Sequence, residues 1–337
     1  MKNDFKYKAL LNVLKEKKYS GIVSIEEGHQ ITFQYVSGME NRKLNIPITQ
    51  DTLFAVASGT KFLTALAIGK LIDMKKMSLD SKAKELYDLK MDSIHPDITI
   101  KDLLSHTSGI SDYLDEDLLD DQEPISFSVP YKDLINPKDF IPIFSKDPQK
   151  FIPGEKFNYN NQGYVYLGII IEEVSKKSYK DFINDELLMP LGITRSGIYH
   201  LSQFPEHTAL GYLGNEEDSL TNHDLLPYQA GGDGGAIISN SDMKKIWESF
   251  FNYQIISKEL VEIFMHPHVV VDEKTNNFYG LGLWLKKAND GIYPYLFGGD
   301  PGISFTSSYN PNNGKYNFVA SNTSSGVWDI FDELKKM

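Results

Sequence analysis

Cysteine is absent from this 337-residue chain, and its absence excludes disulfide bonds and thiolate metal sites. Long apolar runs are missing too, because no stretch approaches the ~20 apolar residues that a membrane-spanning helix needs. Positive charge is in deficit: 34 Lys and Arg face 46 Asp and Glu, which gives a net charge of −12. So acidic a chain is poorly suited to nucleic acid or to an anionic membrane surface. We therefore expect no nucleic-acid partner and no membrane segment.

Signals for export, metal binding and nucleotide binding are also lacking. No apolar run follows the charged start of the chain, so we expect a cytoplasmic protein, although an extracellular domain trimmed of its leader would look the same. His266 and His268 have no third ligand at a suitable spacing, and no His-Glu-x-x-His occurs. The glycine-rich run 230–235 lacks the preceding strand and the third glycine of a dinucleotide fingerprint. We expect neither a metal nor a cofactor.

The most informative stretch is Phe54-Ala-Val-Ala-Ser58-Gly-Thr-Lys61, which leads into a helix that is apolar on all sides. Such a helix is buried, and Ser58 is expected at its start, where its hydroxyl can cap free backbone N–H groups. Lys61 follows one turn later on the same face. A serine attacks only when a base removes its proton, and a buried lysine can act as that base. The pattern predicts a nucleophile and its base.

Ser-x-x-Lys spacing alone is weak evidence, because it recurs at Ser81–Lys84 and at Ser241–Lys244. The first recurrence lies in a polar stretch, and the second is typical of a cap on a surface helix. Only Ser58 has a buried apolar helix behind it.

Tyr159 and Asn161 stand just before a second apolar helix, which continues to Val174. A tyrosine in this place is usually a core residue, but one that faces a cleft can relay protons. His106 could pair with a serine, yet we interpret it as a hydrogen-bonded structural histidine.

Residues 111–150 form an irregular, proline-rich insertion, which is typical of a lid, of a binding loop or of a plain surface excursion. An acidic run from Asp112 to Glu123 falls within this insertion. We expect that run to be a solvated face.

Sheet-forming segments lie at both ends of the chain, and helical segments lie between them. Strands separated by short turns favour an antiparallel sheet, and the most economical architecture joins both chain ends in one sheet. The predicted strands cover 21–25, 30–36, 279–285, 293–299, 303–309 and 316–320, with terminal helices over 5–18 and 327–336.

Together these segments resemble the serine β-lactamase and penicillin-binding-protein superfamily, in particular its class C β-lactamase-related branch of esterases and D-amino-acid peptidases. The matching segments extend over nearly the whole chain and occur in the right order. They are 54–61, 98–109, 153–161, 190–192, 231–232, 242–243, 279–282, 297–299 and 301–302.

The resemblance implies an α/β (α+β) β-lactamase/transpeptidase-like fold, with a five-stranded antiparallel sheet flanked by helices and an all-helical region beside it. It implies one catalytic module over residues 1–337. The sheet subdomain would take about 1–75 and 275–337, and the mainly helical subdomain about 76–274.

The same resemblance assigns roles to the motif residues. Ser58 is cast as the acylated nucleophile, and Lys61 and Tyr159 as the groups that share its proton. Tyr159 would be the general base for both half-reactions. Asn161 would hold Lys61 and the carbonyl side of the substrate.

The third family motif, Lys or His followed by any residue and Gly, falls on Phe297-Gly298-Gly299, and the resemblance places Phe297, Gly299 and Asp300 at the substrate. Backbone N–H groups of Ser58 and Asp300 would then form the oxyanion hole. Phe297 has no charge for a substrate carboxylate, which disfavours efficient β-lactamase or carboxypeptidase action. The sequence remains compatible with acyl transfer from neutral esters or amides.

Three hypotheses follow. The first is a serine hydrolase, of esterase type, acting through an acyl-enzyme on a small-molecule, short-peptide or ester substrate. The second is a penicillin-binding D-Ala peptidase or β-lactamase in which another cation replaces the one missing at 297. The third is a non-catalytic ligand-binding relative. No Gly-x-Ser-x-Gly occurs, which disfavours an α/β-hydrolase, and the sequence makes no prediction of oligomeric state.

Overall fold

The computed structural model describes residues 6–115, 127–288 and 291–336. Its helices, with our labels, are α1 (Lys8–Glu16), α2 (Thr60–Asp73), α3 (Ala83–Leu86), α4 (Ile100–Leu104), α5 (Asn161–Ser175), α6 (Tyr179–Asp181), α7 (Asn240–Phe251), α8 (Lys258–Phe264) and α9 (Trp328–Leu334). Its strands are β1 (Gly21–Glu27), β2 (Gln30–Ser37), β3 (Met39–Asn41), β4 (Ile46–Pro47), β5 (Phe54–Ala55), β6 (Ile237–Ile238), β7 (Val269–Asp272), β8 (Asn277–Tyr279), β9 (Trp284–Ala288), β10 (Gly291–Asp300), β11 (Ile303–Asn310) and β12 (Lys315–Ser321). None of the described helices has the length and apolarity needed to cross a membrane.

The main sheet joins the two ends of the chain, as the order of the predicted segments indicated. Its strand order is β2-β1-β12-β11-β10-β9-β8-β7, and neighbouring strands are antiparallel. β1 pairs with β12, with Gly21 opposite Ser321. The expected number of five strands is wrong, because this sheet has eight strands in the described part of the chain. The extension comes from residues 269–288, which add three strands beside β10.

The strand predicted over 279–285 is divided in two by a turn. Tyr279 ends β8 and Trp284 begins β9, and between them the Gly280 N–H donates to the Leu283 carbonyl at 2.9 Å. Gly282 has a φ of +80°, a conformation that residues with a Cβ rarely adopt. The turn reverses the chain and so creates an additional strand.

The helix behind Ser58 is buried along nearly its whole length, as its apolar pattern predicted. α2 packs against α5. On another side, the ring of Phe62 lies 4.7 Å from the ring of Trp247 in α7. The surrounding core fixes the position of α2 and so holds the backbone of its first turn in place.

The amphipathic helix at the start of the chain is shorter than the predicted 5–18. α1 buries Leu10 and Leu14 and packs against α9. Lys18 has a φ of +50°, which is incompatible with a continuing right-handed helix. Residue 5 lies outside the described residues.

The glycine-rich run 230–235 packs closely against both apolar helices. The Thr64 hydroxyl of α2 donates to the Gly232 carbonyl at 2.5 Å. On the other side, a Cβ on Gly168 of α5 would lie 2.3 Å from the Gly231 carbonyl oxygen. Just after the run, β6 pairs with β5, the strand that precedes Ser58. Contacts with α2 and α5, together with the pairing of β6 with β5, thus place the run beside the nucleophile.

We expect Gly168→Ala to destabilise the protein, because the added methyl group meets backbone rather than a movable side chain. Overpacking of this kind costs about 1–3 kcal/mol, and the gain in helix propensity offsets about 1 kcal/mol of it. Gly163→Ala in the same helix is the matched control, since its Cβ would approach nothing nearer than the Asn160 side chain at 3.2 Å. Urea unfolding of both variants measures the difference, and equal stabilities would contradict the close approach.

Candidate active site

Ser58 lies in a tight turn, Ala57–Gly59, between β5 and α2. Ala57 has a φ of +45°, a left-handed conformation that is uncommon outside glycine and stores strain at functional sites. The expectation that Ser58 caps the helix is wrong, because α2 begins one residue after Gly59 and has no side-chain cap. Its hydroxyl instead accepts a hydrogen bond from Lys61 Nζ at 3.0 Å. Ser58 is half-buried and lines a cavity.

The amine of Lys61 is held by three partners, although its side chain is almost fully buried (2% exposed). Besides Ser58 Oγ, it donates to Asn161 Oδ1 at 2.7 Å and to the Asp233 carbonyl oxygen at 2.8 Å. The last two oxygens can only accept. The amine therefore lies within hydrogen-bond distance of Ser58 Oγ, where a proton can pass between the two groups.

Asn161 is the first residue of α5, so a helix start positions it. Its side-chain Nδ2 donates to the Leu114 carbonyl at 3.0 Å, which fixes Oδ1 toward Lys61. Asn160 caps the helix by accepting from the Gly163 N–H at 2.7 Å. The structure therefore brings Asn161 to Ser58 and Lys61, as predicted from the motif.

Tyr159 also reaches this group: its ring centroid lies 4.8 Å from Lys61 Nζ. The ring is flanked by His106, with centroids 4.4 Å apart, and by Trp284, with centroids 6.0 Å apart and nearly parallel planes. The sequence did not single out Trp284. Two aromatic neighbours and a cation thus define the position of the Tyr159 ring.

His106 supports Tyr159 as a neutral, hydrogen-bonded residue, in agreement with its structural interpretation. The Asn160 N–H donates to His106 Nδ1 at 3.1 Å, so Nε2 carries the proton and lies 3.2 Å from the Tyr279 hydroxyl. Burial, with a smaller effect of the charge on Lys61, holds the pKa of His106 well below its usual value.

Asp112 is not part of a solvated face, contrary to expectation, but is buried (9% exposed) at the start of α5. Its carboxylate accepts from the backbone N–H groups of Asn161, Gln162 and Leu114. Burial raises the pKa of Asp112 to about 7, and these hydrogen bonds and Lys61 oppose the rise. The helix start explains the burial, since its free N–H groups need acceptors. The predicted acidic run at 116–123 lies outside the described residues.

Position 297 carries an aromatic contact where the family motif has a cation. The ring of Phe297 stacks on Trp284 at 4.8 Å, and Trp284 in turn stacks on Tyr159. Gly298 faces the nucleophile turn, since a Cβ there would lie 2.4 Å from the Val56 carbonyl oxygen and 2.7 Å from the Ser58 nitrogen. Phe297 is not among the residues that line the cavity beside Ser58, and its predicted contact with the substrate stays a prediction.

A cavity of about 640 Å³ opens beside Ser58. Asn161, Gly299 and Asp300 line it, as do Asp233 and several aromatic side chains. The described part of the 111–150 insertion contributes Tyr113, Leu114, Phe127 and Tyr131 to its wall. Within the described ranges, no cluster of three or more His, Asp or Glu side chains could hold a metal ion.

The other two Ser-x-x-Lys pairs do not form such a group. Ser81 Oγ accepts from the Ser78 N–H at 2.9 Å, as in a local turn. Lys244 forms an ion pair with Glu26 at 2.5 Å, away from Ser241, which contacts Ser239. The buried helix was therefore the signal that distinguished Ser58.

Besides Trp284, sequence reasoning missed the site residues Asp233 and Tyr113. Asp233 supplies its backbone carbonyl to Lys61, and its carboxylate accepts a hydrogen bond from the Tyr113 hydroxyl. The glycines around Asp233 were the available signal, because such a run allows a backbone to approach another element closely.

Comparison with known proteins is consistent with this geometry. Residues 14–331 match the family described as Beta-lactamase. The chain belongs to the Beta-lactamase family. This family comprises serine hydrolases that act on amide and ester bonds.

Individual relatives cover most of the chain. Penicillin-binding protein 4* of Bacillus subtilis (strain 168) is 29% identical over 315 residues, which are 88% of this chain and 66% of that protein. Teichoic acid D-alanine hydrolase of Staphylococcus aureus is 26% identical over 298 residues, which are 87% of this chain and 70% of that protein. The crystal structure of a penicillin binding protein from Bacillus halodurans superposes with a TM-score of 0.88 at 34% identity, covering 97% of this chain and 99% of that one.

We expect the stability of the protein to fall between about pH 4 and pH 7 through Asp112. Its folded-state pKa of about 7 lies above the ordinary value of 3.8, so in this window the folded state binds more protons than the unfolded state. The free energy of unfolding then decreases as pH rises, by up to about 4 kcal/mol at ~1.4 kcal/mol per pKa unit.

Asp112→Asn removes this titration while keeping an acceptor oxygen. Urea unfolding at several pH values should show the variant gaining stability relative to the wild type as pH rises through this window. A stability difference that does not change with pH would contradict the buried, titrating carboxyl group.

Proposed function

We propose that the chain is a serine hydrolase of the class C β-lactamase-related, esterase type, which acts through a covalent acyl-enzyme. The observation that carries this proposal is the 3.0 Å contact between Lys61 Nζ and Ser58 Oγ. Ser58 lines a cavity large enough for a small ester or amide.

In the acylation step, Ser58 Oγ attacks the carbonyl carbon of the substrate. Its proton passes to the Lys61 and Tyr159 pair, and then to the leaving oxygen or nitrogen as the bond to the carbonyl carbon breaks. In the deacylation step, water attacks the carbonyl carbon of the acyl-enzyme and gives a proton to the same pair. That proton passes to Ser58 Oγ as the bond between the acyl group and Ser58 breaks. Tyr159 is the proposed general base because its ring lies against the Lys61 amine, whose positive charge stabilises a phenolate.

We assign the developing oxyanion to the backbone N–H groups of Ser58 and Asp300. Supporting this assignment, Gly298 allows β10 to approach the Ser58 amide, and Asp300 ends the same strand at the cavity wall. Donors placed in this way are worth ~10²–10³ each in rate.

An aromatic residue at position 297 favours esters and amides without a carboxylate beside the scissile bond. Neither Lys nor Arg occurs among the described residues that line the cavity, so a β-lactam or D-Ala peptide carboxylate finds neither of these cations there. The penicillin-binding relatives support the second candidate, a penicillin-recognising peptidase or β-lactamase. That candidate needs a cation from elsewhere.

We expect Ser58→Ala to abolish hydrolysis of an activated short-chain ester and to leave the fold intact, since it removes only the attacking oxygen. Intact-protein mass after mixing with a fluorophosphonate should show one adduct in the wild type and none in the variant. Ser241→Ala is the matched control, because it removes the serine of a Ser-x-x-Lys pair outside the site. Ester turnover by Ser58→Ala at the wild-type rate would contradict the proposal.

The same mass measurement with a penicillin separates the candidates. Ester turnover without a penicillin adduct supports the esterase type. A stable adduct at Ser58 would favour the second candidate. A folded protein that gains no adduct from either reagent would identify a non-catalytic binding relative.

Tyr159→Phe should lower kcat by about 10²–10⁴, the usual size of general-base catalysis, because it removes only the hydroxyl. The ring keeps its contacts with His106 and Trp284, so stability should change little. Steady-state kinetics and thermal unfolding measure the two effects. An unchanged kcat would move the base role to Lys61 alone.

A further inference from the structure

Three consecutive residues, 112–114, hold the two groups that accept hydrogen bonds from the Lys61 amine besides the nucleophile. Two of the three hold Asn161: the Asp112 carboxylate accepts from its backbone N–H at 2.5 Å, and the Leu114 carbonyl accepts from its side-chain Nδ2 at 3.0 Å. Asn161 is therefore fixed at both its backbone and its side chain, and its Oδ1 is directed to Lys61 Nζ at 2.7 Å.

The third residue, Tyr113, holds the other acceptor. Its hydroxyl donates to the Asp233 carboxylate at 2.5 Å, and the backbone carbonyl of Asp233 accepts from Lys61 Nζ at 2.8 Å. Burial and, next in size, the charge of Asp233 raise the pKa of Tyr113 well above its usual value, so the hydroxyl keeps its proton and remains a donor. Asp233 thus connects Tyr113 directly to the catalytic amine.

Asp233 needs an anchor of this kind because it lies between Gly232 and Gly234, and glycine leaves a backbone freer than any other residue does. The contacts of the glycine-rich run with α2 and α5 described above are made at Gly231 and Gly232, ahead of the Asp233 carbonyl. Tyr113 is itself fixed, because its ring packs among three others at centroid distances of 5.4, 6.2 and 6.4 Å, those of Phe127, Phe140 and Phe144. A well-packed side chain therefore orients a peptide whose flanking residues restrain it little.

We propose that Tyr113 is a positioning residue whose hydroxyl, acting through Asp233, orients the Lys61 amine toward Ser58. This inference rests on the serine hydrolase function proposed above, and it adds to that function a residue that transfers no proton itself. The ring of Tyr113 also lines the cavity. The ring therefore contributes to substrate binding, whereas the hydroxyl contributes to the rate of the step at Ser58.

Tyr113→Phe separates these two roles, because it removes the hydroxyl and keeps the ring. We expect kcat for an activated short-chain ester to fall about 10- to 100-fold, the usual worth of a hydrogen bond to a charged group, while KM changes little. The rate of fluorophosphonate labelling should fall by a similar factor. Expressing kcat per Ser58 labelled at the end point removes the contribution of unfolded protein.

Tyr166→Phe is the matched control. It removes the hydroxyl of another buried tyrosine, which donates to the Tyr87 carbonyl at 2.5 Å outside the site. Thermal unfolding of both variants measures the loss of stability, and only Tyr113→Phe should lower kcat.

Two changes at Asp233 test whether the hydroxyl acts through that residue. Asp233→Asn keeps an oxygen that can accept from Tyr113, so its kcat should stay closer to that of the wild type than the kcat of Asp233→Ala does. Because Tyr113→Phe and Asp233→Ala break the same hydrogen bond, the double variant should be no slower than the slower single variant.

An unchanged kcat in Tyr113→Phe, or a double variant whose loss equals the product of the two single losses, overturns the positioning role alone. Absence of both ester turnover and fluorophosphonate labelling at Ser58 in the wild type overturns the hydrolase proposal and this inference with it.

Discussion

The site depends on a single buried amine, that of Lys61, and on the three oxygens that hold it. An ammonium or amine in this position would be costly without partners, since burial of an unpaired charge is one of the most unfavourable events in folding. The partners come from α2, the start of α5 and the glycine-rich run. The amine therefore joins three separate segments at one point, and catalytic geometry and local stability rest on the same hydrogen bonds.

Glycine makes this convergence possible at two places. Gly168 lets α5 contact the Gly231 carbonyl, and Gly298 lets β10 reach the backbone of the nucleophile turn. In each case a methyl group would collide with backbone, which cannot move aside as a side chain can. Backbone contact of this kind places the Asp233 carbonyl and the Ser58 amide with little freedom, which is what electrostatic stabilisation of a transition state requires.

The sequence was sufficient for the parts of the site that depend on side-chain type and local spacing. Ser58 and Lys61 lie one helical turn apart before a buried apolar helix, so spacing and periodicity located them, whereas the roles of Tyr159 and Asn161 came from the family resemblance. The role of the Asp233 carbonyl could not be predicted from the sequence, because every residue type has the same backbone oxygen. Asp112 was misjudged for a related reason: its burial depends on the helix start it meets, 49 residues further on. The strand break at 280–283 reflects local turn chemistry within an apolar run, which periodicity alone does not show.

The pairing of β1 with β12 has a consequence for synthesis on the ribosome. The β1–β2 hairpin emerges long before β12, so β1 finds its second neighbour only when residues 315–321 have left the exit tunnel. Until then one edge of an apolar strand has no pairing partner, and such edges invite association between nascent chains. Loop closure over 300 residues is also slow. The β1–β12 pairing is therefore expected to be among the last steps by which the main sheet forms.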